Sequence, residues 1–179
     1  MSAALGPRLR NRLRHDPAQG AWYDAARRYM ILRPDSLMGA LQSLDDATRE
    51  LVLAALATSL QIHGADSLRA YAASVNGDTQ AVIDATVDAA SDLGWGLWTV
   101  RQSGATLDVV VRHSPFAQGW LAARGTAVEE SAPAVCAPIR GMLAALAQTL
   151  GEASPQVQEL SCAAQGHPEC RFRVGASVA

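Results

Sequence analysis

Gly94-Trp95-Gly96-Leu97-Trp98-Thr99-Val100-Arg101-Gln102-Ser103-Gly104-Ala105-Thr106-Leu107-Asp108-Val109-Val110-Val111-Arg112-His113 is the stretch on which the fold turns. Before it the chain carries helical signals; within it apolar residues alternate and β-branched ones accumulate, as strands require. The reading is a strand over 94–101, a hairpin turn at Ser103-Gly104 and a second strand over Thr106–His113. Ser114-Pro115 stops that strand and opens a short helical piece through Leu121, followed by a polar loop over Ala123–Ser131. A helix is expected from Pro133 to Leu150, closed by Gly151. Strands over Gln156–Ala164 and Glu169–Val174 flank Gln165-Gly166-His167-Pro168. The order strand–strand–helix–strand–strand defines an α+β fold: N-terminal helices packed on a mainly antiparallel four-stranded sheet.

Working back from that hairpin, Thr79–Leu93 reads as a helix capped by Asn76-Gly77-Asp78. The longest element starts at Asp45/Asp46, with Leu51, Val52, Ala55, Leu56, Ser59, Leu60, Leu68 and Tyr71 on its apolar stripe. Gly64 weakens this helix without ending it, and its small size lets another element approach. Asp35-Ser36 caps a short helix through Leu44, and Ala21–Met30 mixes apolar residues with Arg27 and Arg28 at helical spacing. Residues 1–17, with Arg8, Arg10, Arg12 and Arg14 at intervals of two, are expected to be a basic N-terminal arm; residues 18–179 form one domain.

Composition narrows the chemistry. All fifteen basic residues are arginine, so a phosphate-loop lysine and a lysine Schiff base are excluded. A net charge of −2 gives no global basic field, so nucleic acid is not the expected partner. The stretch Leu51–Leu60 is too short to span a membrane, and no secretory signal is evident at the N-terminus. Three cysteines do not form a paired disulfide framework, and the expected location is the cytoplasm.

The unusual residues gather near the C-terminus. Cys136 opens the last helix, Glu159 and Cys162 lie on the next strand, and Cys170 begins the final one. Three thiols and a carboxylate converging from a helix and a hairpin suit a tetrahedral metal site, with His167 as a rival fourth ligand. Buried free thiols or one disulfide are the alternatives. The second concentration is aromatic. Trp95, Trp98 and Trp120 surround the first hairpin, His113 ends its strand, and Phe116 and Trp120 share a helical face. Such residues either pack a core or line an apolar pocket with a few polar handles.

Trp22, Arg28-Tyr29, Arg33-Pro34, Leu37-Met38, Gly94-Trp95-Gly96, Ser114-Pro115 and the run Glu159-x-x-Cys162…Gly166…Cys170-x-Phe172 together resemble the 4-vinyl reductase domain family. The resemblance covers roughly residues 20–175 and is most specific from Cys136 onward. That family includes sensory domains of phenol- and toluene-responsive activators, with a zinc site of three cysteines and one glutamate. The resemblance maps this set onto Cys136, Glu159, Cys162 and Cys170, and leaves His167 as a turn residue. Four protein ligands leave no open position, so the implied Zn²⁺ is structural. The related sensors hold small aromatic effectors with a histidine and a tryptophan, which the resemblance carries to His113 and Trp120 beside Trp95 and Phe116. A preference for phenol does not follow.

The resulting expectation is a zinc-stabilised module that senses or carries a small apolar or aromatic ligand, acting through a homodimer or a partner protein. Two other classes stand beside it. One is an enzyme or accessory of tetrapyrrole vinyl reduction, although Gly94-x-Gly96 precedes no helix and makes no dinucleotide fingerprint. The other is a protein–protein assembly scaffold.

Overall fold

The computed structural model describes residues 8–124 and 132–176. It opens with a single-turn helix α1 (Leu9–Arg12) and three short strands, β1 (Arg14–Asp16), β2 (Ala21–Asp24) and β3 (Arg27–Tyr29), paired as an antiparallel meander. Where a helix is expected over Ala21–Met30, the chain therefore makes two strands. The turn between them uses Ala25 at φ +52°, a left-handed conformation normally supplied by Gly or Asn. An alanine there carries no turn signal, and Ala-Arg composition favours a helix until tertiary contacts override it. The basic arm is packed over its described part. Leu9 is buried, Arg8 bridges Asp92 at 2.9 Å, and Arg12 bridges the buried Asp24 at 3.0 Å.

Helices α2 (Pro34–Gln42), α3 (Asp46–Ser74) and α4 (Thr79–Asp92) follow. Asp45 caps α3 by accepting from the Thr48 amide, and Asp78 caps α4 by accepting from the Ala81 amide. Along α3 the buried residues are Leu53, Ala65 and Leu68, while Leu51 is 72% and Ile62 60% exposed. The buried face is thus rotated from the predicted stripe, because apolar residues surround this helix instead of marking one side. By length and composition α3 is also apolar enough to cross a membrane, with a mean hydropathy of 1.2 over its best window.

The second half builds the expected sheet. β4 (Leu97–Ser103) and β5 (Thr106–Arg112) form the first hairpin, with Gly104 at φ +59° in its turn. Trp95 lies just ahead of β4, so it does not oppose Trp98 across the strand; instead the Trp98 indole N–H donates to the Trp95 carbonyl at 3.0 Å. Helix α5 (Pro115–Arg124) leads towards the polar loop, whose residues 125–131 lie outside the described ones. Helix α6 (Ala137–Thr149) precedes the second hairpin, β6 (Pro155–Ser161) and β7 (Cys170–Ala176). The sheet is wholly antiparallel in the order β4-β5-β7-β6.

Alternation decides its faces. Leu107, Val109 and Val111 of β5 and Phe172 and Val174 of β7 point inward and are buried; Arg112, Arg171 and Arg173 point outward and are exposed. Helix α6 lies between the sheet and α3, and is buried at Ile139, Gly141, Leu143 and Ala144 through Ala147. Its approach to α3 depends on glycine: a Cβ at Gly141 would overlap the Ala57 backbone, and one at Gly64 would meet Met142 Sδ at 2.7 Å. Gly64 therefore admits a neighbouring helix, as its position predicts.

Candidate functional site

Four elements deliver the four candidate ligands. Cys136 is the N-cap residue of α6, and Cys170 is the first residue of β7, paired with Val111. Glu159 sits on the inner face of β6 opposite Phe172. Cys162 follows β6 and opens a turn of 3-10 helix, Ala163–Gln165, which Gly166 ends at φ +87°. Residues three apart on a regular strand face opposite ways. Here the register shifts between Glu159 and Ser161, so Leu160 is an extra residue and the strand is re-aimed. Glu159 and Cys162 can then both face Cys136 and Cys170.

The ligand atoms of these four residues all lie within 4.8 Å of one another. Cys136 Sγ is 3.8 Å from Cys162 Sγ and 3.6 Å from Cys170 Sγ, and all three thiols are buried and free. A disulfide requires about 2.05 Å. A tetrahedral metal with arms of about 2.3 Å separates its sulfurs by about 3.8 Å, the spacing found. The carboxylate makes the same point. Both Glu159 oxygens are buried without a hydrogen-bond partner, an arrangement that disfavours a bare carboxylate and suits one facing a cation.

Electrostatics within the cluster are correspondingly perturbed. Burial, and then the neighbouring Cys162, push the Glu159 carboxyl up to about 8. Hydrogen bonds from Cys136 and Cys162 hold Cys170 down at about 4, helped by the Ala163 amide donating to its sulfur at 3.3 Å. Cys136 moves in the opposite direction, raised by its hydrogen bonds to the other two thiols. The cluster thus already holds a thiolate. His167 is exposed and outside it, in the turn between β6 and β7.

Beside this cluster runs an apolar groove of about 630 Å³. Trp95 and Phe116 meet edge-to-face across its wall, ring centroids 5.4 Å apart. Trp22, Tyr29, Leu56 and Leu60 contribute from the meander and α3, and Pro138 from the first turn of α6. Its charged residues are already engaged, Asp92 by Arg8 and Arg33 by Asp35. The other two candidate pocket residues stand elsewhere. His113 is exposed, at φ +58°, and its Nδ1 lies 3.4 Å from the Gln118 amide nitrogen. Trp120 is buried against α2 and α3, its carbonyl accepting from Gln42 and its ring 5.4 Å from the Arg49 guanidinium. The walls supplied by Trp22, Tyr29, Leu56, Leu60 and Pro138 are missing from the sequence reading, because the spacing of these residues gives no sign that they converge.

An α+β scaffold that gathers three cysteines and a glutamate beside an apolar groove defines a small-molecule sensory type of domain. Residues 109–176 match the family model of the 4-vinyl reductase domain, the family that the C-terminal motif resembles. The fold is shared with the crystal structure of the phenol-responsive sensory domain of the transcription activator PoxR with phenol. That match has a TM-score of 0.74 and 17% identity, over 94% of this chain and 86% of the other. No curated protein matches the sequence.

Proposed function

We propose that this protein is a ligand-binding sensor or carrier domain, stabilised by a structural Zn²⁺, that takes a small apolar or aromatic molecule into the groove walled by Trp95 and Phe116. The observation that carries this reading is the juxtaposition of the Cys136–Glu159–Cys162–Cys170 cluster with that groove. The family match over residues 109–176 and the fold shared with a phenol-responsive sensory domain support it. Thiolate-rich sets select zinc among common divalent ions, and a site with four protein ligands serves stability, not turnover. In this role the metal ties the start of α6 to the second hairpin. A cavity of this volume falls in the range of about 300–1,000 Å³ typical of small-molecule sites. Its paired charges and aromatic wall favour a neutral, apolar guest.

Native mass spectrometry of the purified chain, with metal analysis, is the test. One zinc per chain together with a retained small apolar molecule is the expected result. Turnover of a vinyl tetrapyrrole with a nicotinamide donor would replace this reading with a reductase.

A further inference from the structure

We infer that Ser114 is an outer hydrogen-bond donor to the metal centre, its hydroxyl orienting the Cys136 sulfur, so that the groove wall and the metal centre form one mechanical unit. This rests on the metal reading above and goes beyond the four ligands. Ser114 is buried, and its Oγ lies 3.3 Å from Cys136 Sγ. The direction of the bond follows from its surroundings. The Ala117 amide donates to the same Oγ at 3.4 Å, leaving the hydroxyl proton to be given elsewhere. A metal-bound thiolate has no proton to donate, so the hydroxyl is the donor.

Ser114 has little freedom to leave this position. The preceding His113 adopts φ +58°, a left-handed turn that carries the chain abruptly from β5 into α5. The loop before β4 closes over that turn: a Cβ at Gly96 would stand 2.5 Å from the Arg112 carbonyl oxygen and 2.9 Å from that of His113. Such clearance admits glycine alone, and the turn holding Ser114 is clamped. The residues that follow, Pro115 and Phe116, line the groove; Pro138, two residues past Cys136, lines it too. The Ser114–Cys136 contact therefore joins the first turns of two helices that wall the groove. Fixing Cys136 with a metal fixes that wall, and by linkage an occupied groove retains the metal more tightly.

The full chain is loaded with Co²⁺, whose thiolate charge-transfer band reports on sulfur hydrogen bonding, and titrated separately with Zn²⁺. Ser114→Ala is expected to shift the cobalt band and to weaken zinc binding by about ten- to a hundred-fold, while Ser114→Thr restores both. Loss of the cap on α5 alone would lower the melting temperature without moving the band. In the native protein a neutral apolar dye such as N-phenyl-1-naphthylamine should bind several-fold more tightly with zinc than after chelation; Ser114→Ala should lose that difference. An alanine variant with native band and affinity overturns the role of Ser114 and leaves the metal reading standing. A native chain that takes up neither ion overturns both. Should the alanine variant not fold, Ser114→Thr decides: a native band supports the inference, and a folded threonine variant with a shifted band overturns it.

Discussion

Glu159 and Cys162 show how little of a site need be lost for the whole to fail. Their convergence depends on the extra residue at Leu160, and both end inside a protein with no other partner for the Glu159 oxygens. Cys162→Ser should bring bound zinc to zero and lower the melting temperature by roughly 5–15 °C, by metal analysis and thermal denaturation. A variant as stable as the native chain, yet metal-free, would refute the structural role. In the groove, Phe116→Ala removes the ring set edge-on to Trp95 and should weaken uptake of a neutral apolar dye about ten-fold. His113→Ala should leave dye binding within about two-fold of native, since the imidazole is exposed and absent from the groove lining. Fluorescence titration separates the two. At this scale the ligand quartet was legible in the sequence because thiols and a carboxylate are rare enough to be noticed together. The bulge that makes them converge leaves no such mark.

Among the elements, α3 and α6 touch through glycine, and the two glycines are not equivalent. At Gly141 the obstacle to a larger residue is the Ala57 backbone; at Gly64 it is the pliable thioether of Met142. Gly141→Ala should therefore destabilise the protein by about 1–3 kcal/mol in chemical denaturation, by prising the helices apart. Gly64→Ala should cost less than about 1 kcal/mol, as methionine repacks and the helix gains from losing a glycine. Equal effects at both positions would contradict this account of the interface. The same pair explains why the predicted stripe on α3 is misplaced. Hydrophobicity alone does not choose a side of a helix that is apolar nearly all round; the closest permissible approach does. The N-terminal meander was illegible for a related reason, since its strands span three or four residues and Ala25 stands where a turn would advertise itself with glycine.

For the molecule as a whole, the antiparallel sheet was readable from alternation alone, because one face of each central strand is buried and the other meets solvent. What sequence order concealed is the order of strands in space. β7 comes last in the sequence yet lies inside, between β5 and β6. β6 consequently has no neighbour until β7 is present, and the second hairpin must dock on β5 as a preformed pair across a long intervening segment. Closing that distance is the slow, entropically opposed event in folding. Two candidate ligands, Glu159 and Cys162, travel with the hairpin's first arm, Cys170 with its second, and Cys136 waits on α6. A metal captured by that set acts as a latch thrown after docking, outside the folding nucleus. Zinc should then slow unfolding by an order of magnitude or more while leaving the refolding rate nearly unchanged, a result that stopped-flow chevrons with and without chelator would display.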